Sequence, residues 1–306
     1  MARERAKLDR RVARIGAAAA AAAGVGVLVC GPAASGAGFY PPGLPVEAPH
    51  ASLPFAHNAL RHVAPALRPT QTHLTPRAAS VIANAPPSPN FLDACAPTGF
   101  DNAHTCARAA LAAIDTARAT EGLGPLPIAL GPFLRLSPAE QIFVLTDLER
   151  LSRGLPPFVA LLPSADAVAA GAAAAGADPT LPRSRPTLGG APVVQWGANW
   201  AGGTANALGA NYYWMYDDGP GGDNIACTQA DRSACFGHRN NILTRFSAGA
   251  CGGAGPATLV MGAAVTEEGN PSTVSLADIE AEACAPNLST ASFTWTTAKQ
   301  LLGIRG

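Results

Sequence analysis

Residues 137–176 read SPAEQIFVLTDLERLSRGLPPFVALLPSADAVAAGAAAAG, two helical patterns divided by a hard stop. The first opens with Ser137 as N-cap, Pro138 at the first helical position and Glu140 three residues past the serine, the arrangement of a capping box. Ile142, Leu145, Leu148 and Leu151 then recur every three residues along one stripe. Gly154 supplies a C-terminal stop, and Pro156-Pro157 forbid continuation because their rings carry no backbone donor. Ser164 to Gly176 follows as an alanine-rich helix whose small side chains permit close packing. Pro179, Pro182 and Pro186 break the chain after it. Glu149-Arg150, near the end of the first helix, reads as an exposed charge pair.

Outward from this pair of helices, the C-terminal half predicts another over Thr204–Tyr216, with Ala205, Leu208, Tyr212 and Met215 spaced four, three and four. Thr258–Glu267 and Ala291–Thr297 have strand character, the latter alternating Phe293 and Trp295 with polar neighbours. Towards the N-terminus, residues 102–118 place Ala103, Cys106, Ala110, Ala113, Ile114 and Ala117 on one helical face. The ordered part, residues 91–306, therefore reads as a single α+β domain with an N-terminal helical extension. Residues 38–90 are proline-dense and show no sustained period, as expected of a partly disordered linker. His50, His57, His62 and His73 lie in it at irregular spacing and read as solvated side chains.

Residues 1–14 carry six Lys/Arg, and an uncharged apolar run, Ile15–Val29, follows. That is the n-region and h-region of a signal peptide spanning 1–37, with Ser35 and Ala37 spaced for cleavage before Gly38. The run is shorter than the roughly 20 residues of a membrane-spanning helix, so no transmembrane segment is expected once the leader is removed. Removal takes away six basic and two acidic residues and leaves 15 basic against 19 acidic, a net charge of −4. Such a balance excludes a nucleic-acid binder, and the leader places the mature chain outside the cell or in the cell envelope. Its six cysteines, Cys95, Cys106, Cys227, Cys235, Cys251 and Cys284, allow 15 pairings. Loop-closure entropy favours the sequence neighbours Cys95–Cys106, Cys227–Cys235 and Cys251–Cys284.

Residues 141–176, with the helix, Gly-Leu-Pro-Pro and second helix just described, resemble the opening of a bacterial SCP-like domain of the CAP superfamily. Gly237-His238-Arg239-Asn240-Asn241-Ile242-Leu243 matches that family's Gly-His-Arg-x-Asn-Ile-Leu segment. Gly197-Ala198-Asn199 stands where the family has Gly-Glu-Asn, and Trp214-Met215 close the helix that follows. The resemblance covers residues 137–268. It implies a disulfide-stapled α-β-α three-layer sandwich with a groove where two histidines and two acidic residues converge and can hold a divalent metal. Only His238 carries over: Ala198 replaces the glutamate, and no histidine lies between Gly176 and Trp196. The expectation is a degenerate site with no metal.

His238 is the candidate catalytic residue, a general base if a nucleophile or water lies within hydrogen-bond reach. The competing reading has it bonding local backbone while Arg239 and Asn241 hold the loop to the core. Asp231 and Ser233 sit nearby in sequence, but no G-x-S-x-G elbow supports a serine hydrolase. Trp200, Tyr213 and Trp214 belong to a cluster of six Trp and Tyr residues within 21 positions and are candidate ligand-binding side chains, with core filling as the alternative. Glu267 and Glu268 are candidates for an acidic groove wall, one facing inward by strand alternation. Asp217, Asp218 and Asp223 would suit Ca²⁺, although a solvated turn accounts for them as well and the EF-hand spacing is missing. The chain thus reads as a secreted CAP-like binding module for a lipid, glycan or protein, more a binder than an enzyme. The alternatives are a secreted hydrolase using His238 with a groove carboxylate, and a structural envelope protein.

Overall fold

The computed structural model describes residues 84–98, 103–204, 206–222, 235–246, 255–267 and 274–304, with isolated positions between them. All belong to one compact unit, residues 47–306. The leader, residues 1–37, and the linker up to residue 83 lie outside the described residues. Helices α1 (Phe91–Cys95), α2 (His104–Thr120), α3 (Leu130–Phe133) and α4 (Pro138–Leu151) come first, then β1 (Ala160–Leu161) and α5 (Pro163–Ala175). β2 (Thr187–Leu188), β3 (Ala191–Thr204), α6 (Ala207–Tyr216) and α7 (Gly237–Ile242) follow. The chain ends in β4 (Ala257–Glu267), β5 (Val274–Cys284), β6 (Phe293–Thr294) and α8 (Trp295–Leu302).

The capping box of α4 forms as its sequence predicts: Ser137 accepts from the Glu140 amide, and the Glu140 carboxylate accepts from the Ser137 amide at 2.7 Å. The helix does not, however, present one apolar stripe, because Gln141 to Arg150 are all buried. Its charged residues are buried with partners. Arg150 donates to the Pro156 carbonyl at 2.9 Å and to the Ile242 and Thr244 carbonyls at 2.7 and 3.0 Å, and stacks over Phe158. Glu149 takes Arg118, Arg153 and the Tyr216 hydroxyl. The expected exposed pair is therefore corrected: each charge is neutralised or bonded by residues remote in the chain, which lets both enter the interior. The Arg150 bonds also tie the 137–176 stretch to the segment ending α7.

The six strands form one sheet in the order β2-β3-β5-β4-β1-β6. β3, β5 and β4 are antiparallel, β1 runs parallel to β4, and β6 closes the edge antiparallel to β1. A two-residue turn at Gly189-Gly190 joins β2 to β3, both residues at positive φ as a tight hairpin requires. Helix α5 packs on the face bearing Val260, Gly262, Ile279 and Ala281. A Cβ on Gly262 would sit 2.1 Å from the Ala165 carbonyl carbon, so only glycine admits this approach. Helices α4, α6 and α2 build the larger core over the opposite face, where Met261, Ala263 and Leu276 join it.

Two sequence expectations change at the C-terminus. Neither β5 nor β3 was anticipated as a strand, and Thr204, read as the start of a helix, ends β3. Ala291–Thr297 is a two-residue strand followed by a helix, because the Thr294 side chain caps the Thr297 amide at 3.1 Å and starts α8. At the other end, order reaches into the 38–90 segment. The Ala85 amide donates to the Tyr216 carbonyl at 2.8 Å, the Tyr212 hydroxyl donates to the Ala85 carbonyl, and Asn84 donates to the Pro220 carbonyl at 2.7 Å. The cysteines pair as sequence proximity favours, Cys95–Cys106, Cys227–Cys235 and Cys251–Cys284. Among the described residues no helix is long and apolar enough to cross a membrane. Three disulfides are compatible with a chain that works outside the cytoplasm.

Candidate functional site

α7 is short, and a residue twenty positions upstream secures its start. The Asp218 carboxylate accepts from the His238 and Arg239 amides at 2.9 and 3.3 Å through one oxygen, and from His238 Nδ1 at 2.8 Å through the other. Phe236, in the left-handed region at φ 57°, turns the chain into the helix, and its amide donates to the Asp218 carbonyl at 2.7 Å. Arg239 points away, donating to the Met215 carbonyl at 2.6 Å and to Glu121 at 2.8 Å. These bonds fix the imidazole with Nδ1 as donor. His238 Nε2 then faces Asp178, whose Oδ1 is 3.7 Å away.

The sheet supplies the rest of the site. Asn199 on β3 lies opposite Asp278 on β5, and its amide donates to Asp278 at 2.8 Å and to Glu280 at 3.1 Å. Asn241 on α7 donates to Asn199 Oδ1 at 3.1 Å and to the Ala198 carbonyl at 2.7 Å. Gly197 leaves room for it, since a Cβ there would stand 2.9 Å from Asn241 Cβ. Asp278 and Glu280, two apart on one strand, share a face and are both fully buried.

Burial sets the electrostatics. Desolvation pushes the Asp278 carboxyl up to about 7; the Asn199 bond and the His238 charge oppose this, and Asp178 adds to it. Glu280 is raised well above the glutamate range, first by burial and then by Asp278. Burial alone would lower His238, but Asp218 and Asp178 outweigh it and hold the imidazole well above its ordinary value. Asp218 is raised by burial, with His238 pulling the other way. The ring thus lies between two carboxyl groups that favour its protonated form, beside Asp278 and Glu280, whose protonated forms burial favours. Both Asp178 oxygens, Asp278 Oδ2 and Glu280 Oε2 are buried without a hydrogen-bond partner.

Of the site residues singled out from sequence, His238 and Asp218 occupy this site, Asp218 as the partner of the imidazole and not as a calcium ligand. Tyr213 and Trp214 are buried in the core, Tyr213 edge-on to Phe91 and Trp214 donating to the Trp200 carbonyl at 3.2 Å. Trp200 lies with the residues under α5, its indole N–H bonded to Ser275 at 2.8 Å. Glu267 ends β4 opposite Val274, farther along the sheet than the Ala263–Asp278 pair. Glu268, Asp223 and Ser233 lie outside the described residues. Asp217 and Asp218 are buried, not a solvated turn. Burial and then Asp218 push Asp217 up to about 7. Asp231 is exposed and pairs with Thr228.

A divalent metal of the kind the resemblance implies does not fit these residues. There is one histidine, its Nδ1 is spent on Asp218, and among the described residues no three His, Cys, Asp or Glu side chains converge closely enough to hold an ion. A scan against protein-family models and searches of curated proteins and of solved structures return no match.

Sequence reasoning passed over Asp178, Asp278 and Glu280. The signal for the latter two was present: Ala277, Ile279 and Ala281 alternate with Asp278, Glu280 and Glu282 at the strand period of two. Asp178 carried a weaker one, falling two residues past Gly176, where the resemblance places a histidine.

Proposed function

We propose that this chain is an exported CAP-like binding module of the extracellular space or cell envelope, in which the His238 site recognises a ligand and does not act as a general base. The three-layer α-β-α reading is supported by α5 on one face of the sheet and α4 and α6 on the other, with the Gly-His-Arg-Asn-Asn-Ile-Leu segment forming a helix at the sheet. One observation carries the functional reading: His238 is paired at Nδ1 with Asp218 and faces Asp178 at Nε2. An imidazole held protonated from both sides has no lone pair to take a substrate proton near neutral pH.

The test is a panel of ester, peptide and glycoside substrates offered to the purified chain and to His238→Ala. The expected outcome is no turnover above the variant's background. Turnover that vanishes in His238→Ala would overturn the proposal in favour of the hydrolase, which the 2.8 Å Asp218–Nδ1 bond favours as an orienting contact. Its rate would then climb with pH as the imidazolium loses its proton.

A further inference from the structure

We infer that Asp178 and His238 Nε2 form a recognition point for adjacent hydroxyl groups, so that the ligand class is a neutral polyol, as in a glycan. This rests on the binding-module reading and deepens it.

Asp178 has no hydrogen-bond partner at either oxygen, yet the residue is only 5 % exposed. A buried carboxylate left without donors is costly, and native structures rarely leave one so. Its nearest partner, His238 Nε2, is at 3.7 Å, too far for a hydrogen bond. With Nδ1 held as donor to Asp218, Nε2 is the ring's remaining polar atom, and the ring keeps a 10 % exposed edge. The site thus sets an N–H donor, in ion-pair reach of Asp178 but beyond hydrogen-bond distance, against two carboxylate oxygens that have no hydrogen-bond donor. Asp278, close enough to Asp178 to feel its charge, leaves a third oxygen, Oδ2, without a partner.

The inventory of possible partners narrows quickly. An ammonium or guanidinium group brings donors alone and leaves the Nε2 hydrogen unmet beside a like charge. A carboxylate or phosphate brings acceptors alone and meets Asp178 with repulsion. A hydroxyl both donates and accepts, and two neighbouring hydroxyls match the paired oxygens of Asp178 while one of them accepts from Nε2. Hydroxyls also reproduce the bonds of any water they displace, so binding strands no buried polar atom.

The experiment follows the His238 ring nitrogens by NMR in the isotope-labelled chain during titration with myo-inositol, N-methylguanidinium or acetamide. myo-Inositol should shift Nε2 saturably, leaving Nδ1 on Asp218 unmoved. Asp178→Asn should weaken that binding about tenfold or more, the cost of losing a hydrogen bond to a charged group. Asp178→Ala serves as the second variant and should do the same. Binding by Asp178→Asn within about twofold of the parent would overturn the inference. A response to N-methylguanidinium or acetamide alone, or to none of the three, would overturn it too and leave the binding module standing. Turnover dependent on His238 is the separate result that removes the module itself.

Discussion

Replacing Glu149 by alanine should cost more than any surface substitution, although the sequence places the residue beside an arginine on a helix. Its Oε2 lies 2.5 Å from both Arg118 and Arg153, and Oε1 accepts from the Tyr216 hydroxyl at 2.7 Å. All four side chains are buried. Truncation leaves Arg118 with the Gly124 carbonyl and Ser152 but no ion-pair partner within 4 Å among the described residues, whereas Arg153 keeps Glu121 at 2.8 Å. Breaking a buried pair costs about 3–5 kcal/mol, and the surviving Arg153–Glu121 bond puts the expectation in the lower half, about 3–4 kcal/mol. For a chain of this size that lowers Tm by about 6–16 °C.

Thermal and denaturant unfolding followed by circular dichroism, with the disulfides oxidised, measures it. Burial raises the Glu149 pKa, but Arg153, Arg118 and Tyr216 together outweigh it, so the folded value lies below the ordinary one. The stabilisation is therefore present above the unfolded value of about 4.3 and is lost as pH falls through the folded pKa. The gap between parent and variant should close in acid. A loss below about 1 kcal/mol at neutral pH, or a gap that persists in acid, would show that the network does not hold the helices together.

Gly262→Ala should destabilise by about 1–3 kcal/mol, since the new methyl meets the Ala165 backbone at 2.1 Å and α5 must lift from the sheet; denaturant midpoints give the value. Asp278→Asn should flatten the stability curve between acid and neutral pH. With its folded pKa raised to about 7, the aspartate is no burden below about 3.9 but costs stability as pH rises from there to about 7, beyond which the cost is constant, so the variant should gain on the parent across that interval, and parallel curves would refute this. Removing Cys251–Cys284, which spans 33 residues, should cost about 4 kcal/mol by loop entropy, more than removing either shorter bridge.

Local chemistry in the sequence determined where α4 and α5 begin and end, and periodicity alone located α2 and α6, the latter beginning at Ala207 and not at Thr204, which ends β3. The cap of α4, Ser137 with Glu140, needs only three residues, so its signal survives without knowledge of the fold. Cysteine pairing was legible for the same reason, each bridge joining neighbours in the chain. His238 stood out through a compact seven-residue match. The tertiary structure alone decided which polar groups go inside. Asp278 and Glu280 drew no reading from the sequence, and they are buried in β5 where Asn199, 79 and 81 residues upstream, arrives to donate to both. Glu149 accepts from Arg118, 31 residues away, and Asp178 meets His238 only after β3 and α6 have closed the chain between them. A charge enters the interior only when its partner is delivered there, and delivery depends on contacts that no local pattern encodes.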